Sequence, residues 1–445
     1  MELIKRFLQQ HRITEIECLV PDMTGNARGK FLPTRKFIGD PEPRLPESIL
    51  VQTVTGDWAE EHDELVHPAD RDMSLQPDET TLRLVPWAKE PTAQIIFDCH
   101  NMETDQPHEL SSRNVLKRVL KLYQDEGLTP VIAPEVEFYL IQKNLDPDNE
   151  LKPPVGRSGR TESARQSYSI DAVNEFEPII DTLYDLCERQ ELDVDTLIHE
   201  SGKAQMEINF HHGDPLSLAD QVFVFKRTTR ETALQHDIYA TFMSKPMEEE
   251  PGSSMHIHQS LIDHQRGKNI FANEDGSHSD RLLHFIGGLQ RYSAAAMAFF
   301  APNVNAYRRF TPEIAAPVNL EWGIDNRTTG LRVPLSPAEA TRVENRFPGA
   351  DANPYLAIAA SLACGYLGLK HKIQPSEPVE GNSYGEVQLP RTLEESLRLL
   401  NECPELKQVM GEHFVRAYTG VKLAEFEAFN RVISSWEREH LLLSV

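Results

Sequence analysis

Four short segments of this sequence alternate apolar residues with residue types that are common in catalytic sites. The segments are Val131–Leu140, Gln205–Phe210, Met255–Leu261 and Thr341–Phe347. Successive side chains of a strand point to opposite faces, so residues two apart share a face. The polar faces then carry Glu135 with Glu137, Gln205 with Glu207, His256 with His258 and Ser260, and Arg342 with Glu344 and Arg346. Carboxylates, imidazoles and guanidiniums are the groups that bind metal ions and phosphates.

Glutamate recurs on these faces and in the turn before one of them. The five candidates are Glu135, Glu137, Glu200, Glu207 and Glu344. A single Glu-x-Glu pair is usually a solvated strand edge, but glutamate is depleted in strands, and its recurrence weakens that interpretation. Five carboxylates in one cavity repel one another unless cations neutralise them. Hard divalent cations, Mg²⁺ or Mn²⁺, would do so.

Two histidines stand in the third of these segments, spaced i, i+2. They are His256 and His258, and His256 could add one nitrogen ligand to a metal site. Histidines at this spacing more often face solvent or satisfy a hydrogen bond. This segment alone therefore leaves a functional and a structural role equally open.

Six arginines fall between positions 308 and 346. They are Arg308, Arg309, Arg327, Arg332, Arg342 and Arg346. A solvated helix face is the ordinary explanation for such a set, yet Arg342 and Arg346 share a strand face with Glu344. Planar guanidiniums are preferred clamps for phosphate and carboxylate. Together with the acids they indicate nucleotide chemistry, although the sequence has no Walker A motif.

The composition bounds the class of protein. A chain of 445 residues exceeds one ordinary core, so two domains are expected, and 40% hydrophobic residues fit a globular protein. The net charge of −24 argues against a nucleic-acid partner. Five cysteines form no CxxC pair, which favours buried thiols in a reducing compartment. The N-terminus lacks the features of a signal peptide and no stretch is long and apolar enough to span a membrane, so we expect a cytoplasmic protein.

The pattern of elements predicts a domain boundary near residue 105. Residues 1–105 show one amphipathic helix, short strands and a long acidic loop at Val51–Gln76, while residues 106–445 alternate strands with longer helices. The helices are expected at a segment capped by Ser111 and Ser112 and at about 173–190, 216–238, 281–299, 353–371 and 419–442. A Gly-, Ser- and Arg-containing excursion is expected at 147–165.

Five ordered blocks, spread over nearly the whole chain, resemble the glutamine synthetase family. They are PEVEFYL at 134–140, HESGKAQMEINF at 199–210, ATFMSKPMEEEPGSSMHIHQSL at 240–261, NVNAYRRFTPEIAAPVNLEWGIDNRTTGLRVP at 303–334 and RVENRFPGADANPYL at 342–356. Within the family, NVNAYRRF, the run around WGIDNRT and GADANPYL look closest to γ-glutamylpolyamine synthetases. The resemblance implies an α+β architecture: a small N-terminal β-grasp domain, then an α/β catalytic domain with a curved antiparallel sheet. It also implies a homo-oligomer, a dodecamer of two hexameric rings with active sites between neighbouring subunits.

The resemblance assigns roles by position. It implies two or three Mg²⁺ or Mn²⁺ ions per site, with Glu137, Glu200 and Glu207 on the amino-acid side and Glu135, His256 and Glu344 on the phosphate side. It implies glutamate binding by Gly252, Arg309 and Arg346, and ATP binding by His258, Ser260, Arg327, Arg332 and Arg342. Arg309, Arg327 and Arg332 are the implied catalytic residues. The implied reaction has two steps, in which ATP converts glutamate to γ-glutamyl phosphate and an amine then displaces the phosphate.

Departures from the family pattern concern the amine. Glutamine synthetases carry an acidic residue in a flap over ammonium, where this sequence has Ala315, and their Asp-Gly-Ser-Ser segment has no counterpart in QTVTGDW at 52–58. Pro251 replaces an asparagine of the glutamate loop. A larger amine could therefore enter, with Trp58, Ala315 and Trp322 as expected pocket residues.

The leading hypothesis is an ATP-dependent ligase that joins the glutamate γ-carboxylate to a polyamine or monoamine, in amine catabolism. Glutamine synthetase acting on ammonia is the alternative within the enzymes. A non-catalytic structural or regulatory member of the family is the alternative outside them, and the intact ligand positions argue against it. Tyr384 lies near an adenylylation position of some bacterial relatives, but its flanks differ, so no such control is expected. Diamines, polyamines, monoamines and aromatic amines all remain open as substrates.

Overall fold

The computed structural model describes residues 1–311, 316–385 and 387–444, and strands of these residues form two sheets. The helices are α1 Glu2–Gln10, α2 Thr34–Gly39, α3 His62–Leu65, α4 Ser112–Asp125, α5 Ile170–Asn174, α6 Glu177–Arg189, α7 Pro215–Gln235, α8 Asp280–Phe300, α9 Pro354–His371, α10 Leu393–Asn401, α11 Pro404–Met410, α12 Glu412–Asn430 and α13 Ser435–Leu441. The strands are β1 Glu15–Pro21, β2 Ala27–Pro33, β3 Arg44–Pro46, β4 Asp72–Pro77, β5 Arg83–Leu84, β6 Thr92–Asn101, β7 Leu128–Gln142, β8 Val194–His199, β9 Gln205–Phe210, β10 Ile238–Thr241, β11 Met255–Asp263, β12 Trp322–Ile324, β13 Leu331–Val333 and β14 Val343–Asn345.

The first sheet has the strand order β2-β1-β6-β4-β3, and β5 pairs with β6. Strands β1 and β6 are parallel, and the other pairs are antiparallel. The central strand β6 is buried on both faces, because Ile95, Ile96 and Phe97 are each at most 1% exposed. The sheet lies before residue 105, where the sequence places a domain boundary, and that boundary remains a prediction.

The second sheet has the order β12-β13-β14-β11-β7-β9-β8, with β10 paired to β7. Its register places polar side chains opposite one another: Glu137 faces Glu207, Glu135 faces His256, and His258 faces Glu344. The resemblance to the glutamine synthetase family implies an antiparallel sheet. This is right for most pairs, but β12 and β13 are parallel.

The apolar face of the second sheet packs against α7, α8 and α9. Phe138 of β7 contacts Phe225 of α7, with ring centroids 6.1 Å apart. Helices α8 and α9 approach closely at Gly288, where a Cβ atom would lie 2.2 Å from the carbonyl oxygen of Cys364. The residues that alternation assigns to this face are all buried: Val136, Phe138, Met206, Ile208, Met255, Ile257, Val343 and Phe347. The opposite, polar face is therefore held on a rigid support.

One buried arginine joins the two sheets. Arg113 of α4 donates to Asp78 and Asp98, which belong to the first sheet and its connections, at 2.6 and 2.5 Å. It also donates to Asp220 of α7 at 2.9 and 2.8 Å, and its side chain is 1% exposed. Because each carboxylate compensates the same buried cation, the three segments are fixed to one another.

Most expected helices are present, and three regions differ. Val51–Gln76 is not one loop, because it contains α3 and β4, and β4 buries Met73 and Leu75 in the period-two pattern of a strand. The helix expected at 419–442 is two, since Ser434 forms a capping box with Glu437 and starts α13. Helices α10 and α11 were not predicted, although Thr392 caps the first and Pro404 opens the second. None of the helices in the described residues has the length and apolar character of a membrane span.

Candidate functional site

Two adjoining cavities lie on the polar face of the second sheet. The first has a volume of about 320 Å³ and the second of about 490 Å³, and both are lined by Glu135 and Asn209. Glu137, Glu200, Glu207, Gly252, His256, Arg327, Arg332 and Arg346 line the first cavity. His258, Ser260 and Arg342 line the second. We call them the acidic cavity and the outer cavity. The structure thus collects most of the residues that the sequence singled out.

The protein itself compensates one part of the acid cluster. Glu344, which is 1% exposed, accepts from Arg332 at 2.8 Å and from Arg346 at 2.5 Å. Burial would raise the pKa of Glu344, but the charge of Arg346 and the neighbouring histidines hold it well below its ordinary value. Burial would likewise raise the pKa of Glu135, but hydrogen bonds with His256 and His258 lower it. Both carboxylates are ionised at neutral pH.

The other part of the cluster lacks this compensation. Burial, and next the charge of Glu200, raises the pKa of Glu137 to about 8. Burial and repulsion from Glu135 and its neighbours raise the pKa of Glu207 well above its ordinary value, and burial is the main cause of the raised pKa of Glu200. These carboxylates face one another without enough positive charge around them. An added cation would stabilise their ionised form.

The donor groups fit divalent metal ions. Ligand atoms of Glu135, Glu207 and His256 lie within 4.8 Å of one another, and so do those of Glu135, His258 and Glu344. Burial and the charge of Arg346 lower the pKa of His256, which favours the neutral imidazole that binds metals. These groups divide the acids differently from the two sets that the resemblance implies: Glu135 belongs to both, and Glu137 and Glu200 lie beside them.

His258 has a fixed orientation at the border of the two cavities. Arg342 can only donate, and its Nε lies 3.1 Å from His258 Nδ1, so Nδ1 accepts and Nε2 carries the proton. Nε2 then donates to Glu135 Oε1 at 2.9 Å. His258 therefore links Arg342, which lines the outer cavity, by hydrogen bonds to Glu135, which lines both cavities.

Arg309 lines neither cavity, although the resemblance gives it a glutamate-binding and catalytic role. Arg309 is 2% exposed, and its guanidinium donates to Ser254 Oγ at 3.1 Å and to main-chain carbonyls, including that of Pro348 at 2.9 Å. A Cβ atom at Gly252 would lie 2.3 Å from Arg309 Cγ. Gly252 therefore allows the cavity loop to cross over the arginine, and in this structure Arg309 supports that loop from behind.

Two of the three residues expected to form an amine pocket, Trp58 and Trp322, do not line these cavities. Trp322 is buried and its indole N–H donates to the carbonyl of Ser376 at 2.7 Å. Trp58 is 47% exposed in the first sheet's unit, and Ala315 lies outside the described residues. The wall instead includes Tyr168 and Tyr384.

Sequence reasoning did not assign these two tyrosines to the cavity wall, because each lies in an irregular segment without periodicity. Tyr168 has a φ of +60°, which places its side chain by backbone conformation and not by strand alternation. Ile198 and Ala316 complete the less polar part of the same wall.

Comparisons with known proteins agree with this geometry. Residues 109–441 match the family model of the glutamine synthetase catalytic domain. The chain is 34% identical to gamma-glutamylputrescine synthetase of Escherichia coli strain K12, over 99% of this chain and 94% of the relative. It is 32% identical to glutamate–isopropylamine ligase of a Pseudomonas species, over 98% and 96%. A solved structure of GmaS without ligand superposes with a TM-score of 0.83 at 26% identity, covering 98% of both chains. The chain belongs to the glutamine synthetase family.

Proposed function

We propose that this protein is an ATP-dependent ligase that joins the γ-carboxylate of glutamate to an organic amine. The observation that carries the proposal is the pair of cavities that meet at Glu135. One offers buried acids with guanidiniums above them, and the other opens beside Arg342, Ser260 and His258. Family membership implies ATP as co-substrate and divalent metal ions, and names of two relatives specify organic amines.

The arrangement supports a division of roles between the cavities. ATP would occupy the outer cavity with its phosphates directed toward Glu135, and glutamate would occupy the acidic cavity beside Gly252 and Arg346. Glu135, Glu207, His256 and Glu344, with Glu137 and Glu200 beside them, would hold two or three Mg²⁺ or Mn²⁺ ions. Such ions neutralise charge that develops on transferring phosphoryl oxygens.

The chain's own residues would orient the reactants in both steps. Arg327, Arg332 and Arg346 line the acidic cavity and would stabilise the transferring phosphoryl group, while the γ-carboxylate oxygen of glutamate forms the new bond to phosphorus and ADP leaves. The nitrogen of a neutral amine then bonds to the carbonyl carbon of γ-glutamyl phosphate, the bond from that carbon to the phosphate oxygen breaks, and the released phosphate takes up the amine proton.

Organic amines are favoured over ammonia by what surrounds the acidic cavity. Ammonium needs closely packed acids, and the sequence has Ala315 at one expected acid position and no equivalent at the other. The described wall offers Tyr168, Tyr384, Ile198 and Ala316, whose rings and alkyl groups can pack against a hydrocarbon chain.

We further propose a ring-forming homo-oligomer, a dodecamer, in the cytoplasm. The hairpin at 52–58 exposes two apolar side chains, Val54 at 56% and Trp58 at 47%. Five more are at least 61% exposed near residue 440: Val432, Ile433, Trp436, Leu442 and Leu443. Neighbouring exposed apolar side chains of this kind are typical of subunit contacts. A monomer that retains full activity, measured by light scattering together with turnover, would contradict this assembly.

Phosphate release in the presence of ATP, Mg²⁺, glutamate and a panel of amines tests the function. We expect phosphate release that requires both glutamate and an amine. We also expect kcat/KM for the best organic amine to be at least about ten times that for ammonia, because ammonia lacks the alkyl groups that contact the pocket, and losing one such contact costs about 1.4 kcal/mol or more. Mass spectrometry would identify the γ-glutamyl amide. Ammonia as the best substrate would favour glutamine synthetase activity, and no turnover with any amine would favour the non-catalytic alternative.

A further inference from the structure

Behind the acidic cavity, a buried carboxylate braces the turn that carries Glu200. This turn joins β8 to β9 and is closed by hydrogen bonds from Glu200 N to the Gln205 carbonyl at 2.8 Å and from Gln205 N to the Gly202 carbonyl at 3.1 Å. Ala204, within it, has a φ of +57°, a conformation that costs free energy for a residue with a Cβ atom. The turn therefore needs contacts from outside to keep its shape.

Glu162 supplies such contacts at both ends of the turn. Its carboxylate accepts from the backbone N–H of Ala204 at 2.5 Å and lies 3.1 Å from His199 Nε2. The other ring nitrogen, Nδ1, donates to the Glu200 carbonyl at 2.7 Å. The side chains of Glu162 and His199 are 4% and 0% exposed. A chain of hydrogen bonds thus runs from Glu162 through His199 to the backbone of Glu200.

The segment around Glu162 follows the turn over several residues. Tyr168 N donates to the His199 carbonyl at 2.9 Å, and Ser167 Oγ lies 3.1 Å from Ser201 Oγ. The segment therefore binds along the back of the turn and places Tyr168 at the cavity wall. The excursion that the sequence predicts at 147–165 ends in this brace.

We propose that Glu162 and His199 are positioning residues that hold Glu200 in the geometry needed to bind a divalent metal ion. This rests on the proposed function in so far as that function assigns a metal to the acidic cavity. Outer hydrogen-bond partners of metal ligands fix the ligand orientation, and their loss typically weakens metal binding by about 10- to 100-fold. Neither side chain lines the cavity, so each would act through the Glu200 turn.

Titration of the metal-free full-length protein with Mn²⁺ alone, followed by the electron paramagnetic resonance signal of free Mn²⁺, tests the proposal. We expect Glu162→Ala to weaken Mn²⁺ binding about tenfold or more. Glu162→Gln, which preserves the shape and can still accept from Ala204 N–H, should restore most of the affinity. Mn²⁺ affinity within twofold of the unmodified protein for Glu162→Ala would overturn the proposal.

Two control variants separate positioning from general loss of stability. Glu177→Ala removes an exposed glutamate that pairs with Arg157 at 2.6 Å, and it should bind Mn²⁺ normally. Tyr123→Phe removes a buried hydrogen bond to the Leu362 carbonyl, far along the chain from the turn, and should lower the melting temperature without changing Mn²⁺ affinity. If Tyr123→Phe weakened Mn²⁺ binding as much as Glu162→Ala, a positioning role would be refuted.

Glu162→Asp covers the case in which Glu162→Ala does not fold. It keeps the charge but is one methylene shorter, so it cannot reach both Ala204 and His199, and we expect Mn²⁺ binding to weaken severalfold. An unchanged affinity in this variant would also overturn the proposal. If the unmodified protein shows no ligase activity while Glu162→Ala weakens its Mn²⁺ binding, the proposed function is contradicted but the positioning role is not. If the unmodified protein is an active ligase and Glu162→Ala binds Mn²⁺ normally, the positioning role alone is contradicted.

Discussion

The two parts of the acid cluster differ in the source of the positive charge that compensates their carboxylates. Glu344 and Glu135 are compensated by Arg332, Arg346 and the two histidines, so their pKa values lie below the ordinary range. Glu137, Glu200 and Glu207 face one another, and their pKa values are raised. The first part is preformed by the fold, whereas the second part is stable in its ionised form when cations arrive from solution.

The largest effect should be on the stability of metal-free protein. Glu344→Gln would leave two guanidiniums without their carboxylate and should lower the free energy of unfolding by about 3 kcal/mol. Glu207→Gln removes a carboxylate that its neighbours repel and should leave stability unchanged or higher. Urea unfolding in EDTA measures both. Equal losses in the two variants would erase the distinction between the parts.

Turnover should depend on both parts in spite of this difference. Glu207→Ala and Glu344→Ala should each reduce kcat by about 10²-fold or more, the size of losing one preorganised electrostatic group. Steady-state assays with Mg²⁺ and with Mn²⁺ measure this, with circular dichroism as the check on folding. Normal turnover of either variant would show that its carboxylate is not part of the site.

A pH series should separate the parts by sign. The raised pKa of Glu137 means that, without metal, the folded state binds more protons than the unfolded state between about pH 4.5 and about pH 8. Stability from this group therefore falls as pH rises through that window. In EDTA, the free energy of unfolding of Glu137→Gln, relative to that of the unmodified protein, should rise by at least about 1 kcal/mol from pH 5 to pH 7.5, because one pKa unit corresponds to about 1.4 kcal/mol. A constant difference would contradict the raised pKa.

The smallest effect concerns Ala315, which stands where glutamine synthetases carry the acidic residue of their flap. Ala315→Glu should reduce kcat/KM for bulky amines by about tenfold, a loss of about 1.4 kcal/mol, and should reduce it less for ammonia, because the new side chain fills space and adds an acid. Kinetics with both substrates on both proteins measure the ratio. A larger loss with ammonia than with bulky amines would place the amine elsewhere.

Strand alternation predicted those residues of the candidate site that lie on strands. Glu135, Glu137, Glu207 and His256 lie where period two puts them, because one face of their strands is buried against α7–α9 and the register cannot slip. Family membership and the mixed α/β fold also follow from the sequence blocks.

Loop-borne residues could not be predicted in the same way. Tyr168 is placed by a positive φ and by contacts with β8, and neither leaves a periodic trace. Trp322 shows the converse error, since its position in an aligned block suggested a pocket wall, whereas its N–H is used by the Ser376 carbonyl. The brace at Glu162 depends on a contact with a residue 42 positions away.

The buried Arg113 has a consequence for how substrates reach the cavities. It holds Asp78, Asp98 and Asp220 at once, and separating the two sheets would leave buried charges without partners. Opening about a hinge between the sheets is therefore costly, and breaking one buried pair alone costs about 3–5 kcal/mol. Admission of ATP, glutamate and amine must then depend on loop movements around the cavity mouths, while the two sheets move as one rigid unit.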